Sequence, residues 1–196
     1  MWDERYAADE YVYGLEPNDF LSEYYEEIPP GEVLCLGEGE GRNAVFLAQK
    51  GYQVTAVDSS AVGLEKATRL ASHREVQIRT VHADLEEYVI DIERWSGIVS
   101  IFCHLPPSIR SLVHRQVPAG LKRGGVFLLE AYTPRQLEYA TGGPPVAELM
   151  MDTHMLSNEL NDLTFSLLEE TEREIHEGQL HFGMAAVVQA IGRRAK

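Results

Sequence analysis

Cysteine is nearly absent from this 196-residue chain, and its two copies, Cys35 and Cys103, form no CxxC pair. That excludes a disulfide framework and a thiolate zinc site, and it fits a reducing cytoplasm. The seven histidines include no HxH or HxxxH pair, so no metal site is expected. Basic residues are scarce: 17 Lys and Arg stand against 31 Asp and Glu, a net charge of −14. Phosphate backbones and anionic membrane surfaces are held by clustered cations, so nucleic acid and membrane are disfavoured as partners. The acidity serves solubility or favours a cationic ligand. No run of about 18 apolar residues is present, so no spanning helix is expected. The opening MWDERYAADEY carries four acids and no apolar stretch, which predicts no secretory signal. What remains, 44% hydrophobic and 24% charged residues, is ordinary for a globular chain and enough for one domain with a substantial core. Neither an internal repeat nor a linker interrupts it.

The segment Val33–Asn43, VLCLGEGEGRN, is the strongest positive signal. An apolar run meets glycines 37, 39 and 41, a helix-like RNAVFLAQKG follows, and a second apolar run, VTAVD, ends on Asp58. Strand, glycine turn, helix, strand and acid make half of a nucleotide-type crevice, in which the acid accepts hydrogen bonds from ribose hydroxyls. Glycines there let backbone approach a ligand without a Cβ in the way. Two details oppose a dinucleotide. Glu38 and Glu40 stand where a pyrophosphate would lie, and like charges about 4 Å apart repel by roughly 4 kcal/mol at an effective dielectric near 20. Position 42, the third glycine of GxGxxG, is Arg42. An adenosine ligand with positive charge and no phosphate suits the loop better, and S-adenosylmethionine has a sulfonium and an ammonium.

The run LGEGEGRNAVFLAQKGYQVTAVDSS resembles motif I and its acidic partner in class I S-adenosylmethionine-dependent methyltransferases. GRN after the last glycine is most similar to the tellurite-resistance and thiopurine-type branch, which methylates small molecules. HADLEEY resembles the adenine motif, GIVSIFCHL the strand-four motif and LKRGGVFLLEAY the strand-five motif, all in order. The branch often carries Cys or Ser at position 38 and Asn or Thr at 40, and the two glutamates depart from that. The resemblance implies S-adenosylmethionine as cofactor and a small-molecule methyl acceptor such as a thiol or chalcogen oxyanion, in a monomer or homodimer. A non-catalytic S-adenosylmethionine sensor, an NAD(P)-dependent oxidoreductase and a protein or nucleic-acid methyltransferase are the alternatives.

Alternating strand and helix signals predict an α/β, Rossmann-like, doubly wound sheet of seven mostly parallel strands. Five parallel strands are expected at 33–36, 53–57, 76–81, 97–102 and 125–131. A C-terminal antiparallel hairpin, 163–175 and 179–191, is expected to turn at His176-Glu177-Gly178. Helices are expected at 42–50, from Ser59 or Ser60 to about 72 with Leu64, Ala67 and Leu70 inward, and from Pro106 or Pro107 to Val117 with Pro118 closing it. Asn18 is a cap for a helix over 19–27. Residues 132–162 are expected to wall the substrate pocket, because loops at the carboxyl ends of strands face the crevice.

The expected cofactor contacts are Gly37 and Gly39 through backbone, Glu38 at the amino-acid end, Asp58 at the ribose with Ser59 and Ser60 after it, and Asp84 with Leu85 at the adenine. Phe102 and Cys103 are expected at the methionine portion. Asp84 has a second reading as a helix cap. Arg42 and Asn43 open the helix aimed at the cofactor, and Asn43 is equally suited to holding the loop together. Trp2, Tyr6 and Tyr13 either close over the sulfonium through cation–π contact or pack a helix on the sheet, and the family resemblance implies a lid. His104 and Tyr132 are the candidate catalytic groups, His104 as a general base or as a pocket wall. His154 is a weaker base candidate. His181 reads first as structural and second as a pocket contact. Cys35 reads as core.

Overall fold

In the computed structural model, residues 2–139, 141–178 and 180–196 are described. Strands β1 (Glu32–Leu36), β2 (Gln53–Asp58), β3 (Arg79–His82), β4 (Trp95–Ile101) and β5 (Leu121–Tyr132) run parallel. β6 (Leu163–His176) and β7 (Phe182–Arg194) form an antiparallel hairpin, with β7 antiparallel to β5. The sheet order is β3-β2-β1-β4-β5-β7-β6. This is the expected seven-stranded, mostly parallel sheet with a terminal hairpin. The direction of winding reverses between β1 and β4, and a crevice opens at such a reversal.

The two-residue period of β1 divides the core. Leu34 and Leu36 enter one layer with Ile98, Phe127 and Leu129, closed by helix α5 (Pro107–Gly120) through Val113 and Val117. Val33 and Cys35 enter the other with Val99 and Leu128. Helices α2 (Asp19–Tyr24), α3 (Arg42–Gln49) and α4 (Ala61–His73) close that side through Leu21, Leu47 and Leu64. All seven residues of β4 are buried, as covering on both faces requires. Asn18 caps α2, its side chain accepting from Leu21 N.

Several boundaries correct the sequence expectation. β3 begins at Arg79, not Val76, because α4 ends through Glu75 in a left-handed conformation (φ 57°) and Val76 N is still bonded to Ala71 O. Pro118 does not close α5: it lies inside the last turn, where it removes one helical hydrogen bond, and the helix still runs to Gly120. β5 starts at Leu121 rather than Gly125, past an irregularity opposite Trp95 and Gly97. The 19–27 helix tightens to a 3₁₀ turn at Tyr25–Glu27. β7 extends to Arg194, and the start expected at Gln179 lies outside the described residues. Residues 132–162 hold two 3₁₀ turns and helix α6 (Thr153–Glu159).

Candidate functional site

At the carboxyl end of the parallel strands lies a cavity of about 360 Å³. Three neighbouring strand ends supply its carboxylates: Glu38 and Glu40 after β1, Asp58 closing β2 and Asp84 after β3. Across the winding reversal, Phe102, Cys103 and His104 follow β4, and Leu105, Pro106 and Ile109 lead into α5. The roof is the N-terminal segment, with Trp2, Tyr6 and Tyr13, and His181 from the hairpin connection.

The glycine bend is built for close approach. Gly37 has φ 59°, and a Cβ there would lie 2.6 Å from Cys103 Sγ, so a side chain would collide with the cavity wall. Gly41 has φ 93°, and a Cβ would sit 2.6 Å from Ala67 Cα, which makes it the residue that lets α3 and α4 touch. Gly39, expected as a cofactor contact, does not line the cavity, because its N–H is committed to Asp58 Oδ2 at 2.8 Å. Asp58 Oδ1 accepts from Ser60 N at 2.8 Å. Each Asp58 oxygen thus receives one backbone N–H and keeps a lone pair. Burial raises the Asp58 carboxyl, opposed by those two bonds.

Glu38 and Glu40 have separated roles. Glu40 Oε1 lies 2.6 Å from Lys66 Nζ, and its Oε2 accepts from Tyr13 N. Lys66, 1% exposed, also donates to the carbonyls of Ala8 and Glu10 at 2.8 and 2.7 Å and reaches Tyr6 O at 3.4 Å. Glu40 is therefore a fastening for the N-terminal segment. Glu38 has no such cation: its Oε1 accepts from Ala44 N at 2.8 Å, capping α3. Burial pushes its carboxyl up to about 7, against the Ala44 bond and the charge of Arg42, which lower it. Arg42 spends NH2 on Glu177 Oε2 at 2.6 Å, while its buried NH1 has no partner among the described residues. Asn43 lines the cavity, and its Oδ1 accepts from Asn18 N, so its loop-holding role is present.

Ser59 lines the cavity, whereas Ser60 does not: it is the α4 cap, accepting from Gly63 N and bonding Asp3 at 2.5 Å. Asp84 caps no helix; its Oδ1 accepts from Glu86 N in a short turn, and Leu85 beside it also lines the cavity. Phe102 has φ 51°, an outlier for a bulky residue that costs about 1–3 kcal/mol. That backbone turn packs its ring 4.6 Å from Tyr132 and 4.7 Å from His181. Burial pushes the Cys103 thiol up to about 12, which leaves it protonated and a poor nucleophile at neutral pH.

The two catalytic candidates fare differently. His104 lines the cavity, with Nδ1 3.0 Å from Leu149 O and Nε2 3.4 Å from Tyr132 N. A proton on Nδ1 satisfies both contacts, and burial lowers the imidazole to about 4. Its lone pair is already turned to a backbone N–H, which fits the wall reading over the base reading. Tyr132 is a correction: it is 1% exposed and lies behind the cavity, packed on Phe102, His104 and His181. The stretch 132–162 is a second correction, since none of its described residues lines the cavity; it acts one layer back, through Leu149 O on His104. His154 is exposed and bonded to Asn158. His181, read first as structural, reaches the cavity.

Sequence reasoning missed Lys66 and a buried cluster beneath the roof. Glu130, wholly buried in β5, accepts from Arg173 Nε and NH2, Gln189 Nε2 and Asn18 Nδ2. Glu177 joins Arg173 to Arg42. An acid inside the apolar run LLEAY was the available signal for Glu130, and for Lys66 it was a position three residues after Gly63 and four before Leu70, both on the buried face of α4.

A family model described as "Methyltransferase domain" matches residues 33–125. The chain is 34% identical over 67 residues to a ubiquinone biosynthesis O-methyltransferase of Rickettsia canadensis, a match covering 34% of this chain and 28% of that protein. Its fold is similar to a structure solved under the heading "Conversion of a Disulfide Bond into a Thioacetal Group during Echinomycin Biosynthesis" (TM-score 0.78, 16% identity, 98% of this chain and 88% of that one). It is also similar to TehB from Haemophilus influenzae (TM-score 0.74, 19% identity, 98% of this chain and 65% of that one). The chain has the class I methyltransferase fold.

Proposed function

We propose that this protein is an S-adenosylmethionine-dependent methyltransferase acting in the cytoplasm on a small-molecule nucleophile, a thiol, chalcogen oxyanion or similar group. One observation carries the reading: Glu38, Asp58 and Asp84, from three adjacent strand ends, line a single cavity together with Arg42, whose NH1 has no partner among the described residues. The residues fit the cofactor. Asp58 retains the lone pairs that two ribose hydroxyls need, and Glu38, paired with no side-chain cation among the described residues, offers a carboxylate to the ammonium. The free Arg42 amino group suits the carboxylate of the same amino-acid end. Asp84 and Leu85 suit the adenine, one as acceptor and one as cover. A diphosphate would meet the Glu38 carboxylate instead, which disfavours NAD(P).

When bound, the cofactor supplies a methyl group already activated on a sulfonium. The chain's contribution is then placement, worth about 7–11 kcal/mol when an acceptor is held at near-attack distance. Trp2, Tyr6 and Tyr13 exclude water from above, and their faces attract positive charge. The GRN of the glycine bend, which resembles the tellurite-resistance and thiopurine-type branch, supports a chalcogen oxyanion and a thiol equally.

A ligand at a hundred times its dissociation constant stabilises the fold by about 2.7 kcal/mol. S-adenosylhomocysteine is expected to raise the melting temperature, NAD and NADP to leave it unchanged, and Asp58→Ala to abolish the rise. Stabilisation by a dinucleotide would sink the reading. A non-catalytic sensor would give the same shifts, and labelled-methyl transfer to a panel of thiols, oxyanions and amines separates it from an enzyme.

A further inference from the structure

The cavity divides at the winding reversal. On the β1–β3 side stand the groups assigned above to the cofactor. The other side is walled by Phe102, His104, Leu105, Pro106, Ile109 and His181, with no carboxylate or ammonium among them. Within that side, His104 has both ring nitrogens facing backbone groups, Leu149 O and Tyr132 N. His181 differs. It is 7% exposed, its ring is held 4.6 Å from Tyr13 and 4.7 Å from Phe102, and its buried Nδ1 has no hydrogen-bond partner among the described residues. A buried polar atom left alone is costly, and a ligand that pairs with it removes that cost.

The charges around this half set the ligand's own charge. Glu40 is matched by Lys66 and Arg42 by Glu177, so among the described lining residues Glu38, Asp58 and Asp84 remain without a paired cation. An anion placed here would give up water to face a net negative wall. A cationic amine lacks the lone pair that accepts a methyl group, and neither histidine of this side is a good proton acceptor, since burial lowers them to about 4 and 3.

We infer that the β4–α5 half of the cavity is an acceptor subsite for an uncharged molecule with an apolar body and one hydrogen-bonding group, and that His181 is the residue that holds this group. The inference rests on the methyltransferase reading and narrows it: oxyanions are disfavoured, and the hairpin, through His181, determines specificity. His181 is a contact and an orienting group, and no proton transfer is assigned to it.

Binding to the protein loaded with S-adenosylhomocysteine tests this, with toluene, benzyl alcohol and benzoate as probes and affinities measured by NMR titration. Benzyl alcohol is expected to bind at least about tenfold more tightly than benzoate, a difference of about 1.4 kcal/mol. His181→Ala is expected to lower benzyl alcohol affinity by a similar factor while leaving toluene unchanged. His181→Asn, which retains an acceptor near the place of Nδ1, is expected to restore part of the loss. Three results would overturn it: benzoate binding as well as benzyl alcohol, toluene weakening in parallel with the alcohol in His181→Ala, or no binding by any of the three. The first two leave the methyltransferase reading standing. Failure of the wild-type protein to take S-adenosylhomocysteine at all removes that reading, and is seen before any probe is added.

Discussion

Two groups of buried carboxylates lie close together in this molecule and are treated in opposite ways. Beneath the roof, Glu130 and Glu177 are saturated by Arg173, Arg42, Asn18 and Gln189, and the charges balance. At the cavity floor, Glu38 and Asp58 accept from backbone N–H groups and are bonded to no side-chain cation among the described residues. The first group ties β5, β6, the hairpin connection, α3 and the N-terminal segment into one body. The second leaves hydrogen-bonding capacity open. A buried acid that is fully matched is structural, and one left half-matched is waiting for a ligand.

That contrast can be broken most forcefully at Glu130. Glu130→Ala leaves Arg173 with Glu177 and Asp19 but removes the buried carboxylate that also holds Gln189 and Asn18, and it is expected to destabilise the fold by about 3 kcal/mol, read from the urea midpoint. A loss below about 1 kcal/mol would mean that the cluster is not what unites these elements.

Glu38 sharpens the comparison through pH. Its carboxyl titrates near 7 in the folded chain against 4.5 ordinarily, so between those values the native state keeps a proton that the unfolded chain has released. Glu38 therefore costs stability as pH rises through this window, by roughly 3 kcal/mol. His104 and His181 act in the other direction. Their folded values, about 4 and about 3, lie below the ordinary 6.5, so the unfolded chain takes up protons first and stability falls as pH drops below 6.5. Comparing wild type with Glu38→Gln cancels the histidines. The stability of wild type relative to the variant should decline from pH 4.5 to 7 and stay flat above it. A flat difference throughout would place Glu38 with the saturated acids.

The smallest effect is expected at Ser60, adjacent to the cavity but turned inward as a helix cap. Ser60→Ala should cost about 1 kcal/mol in thermal or urea unfolding and leave S-adenosylhomocysteine affinity unchanged. A large loss of affinity would return Ser60 to the binding set.

Local rules made much of this visible in the sequence. The glycine bend, the β2 acid and the hairpin each rest on contiguous residues, and Gly37, Glu38, Asp58, Asp84 and Phe102 do converge on one cavity. The errors came where distant elements decide. Tyr132 follows β5 as a pocket residue would, but Phe102, turned by its positive φ, stands in front of it. Ser59 and Ser60 are indistinguishable by type, and only the start of α4 selects the second as cap. Nothing near His181 in the chain announces that Glu177 N, bonded to His181 O, folds the hairpin connection back over the crevice. Glu38 and Glu40 are the same residue two positions apart, and the Lys66 that separates their roles lies 26 residues beyond Glu40 in the sequence.

Lys66 has a wider consequence. One ammonium gathers three carbonyls of the N-terminal segment and the Glu40 carboxylate, so these anchors share a single post. Detaching any one leaves the others in place, whereas losing the ammonium frees all of them together. Opening of the cavity from above should then resemble a latch with two positions, not a curtain drawn back by degrees.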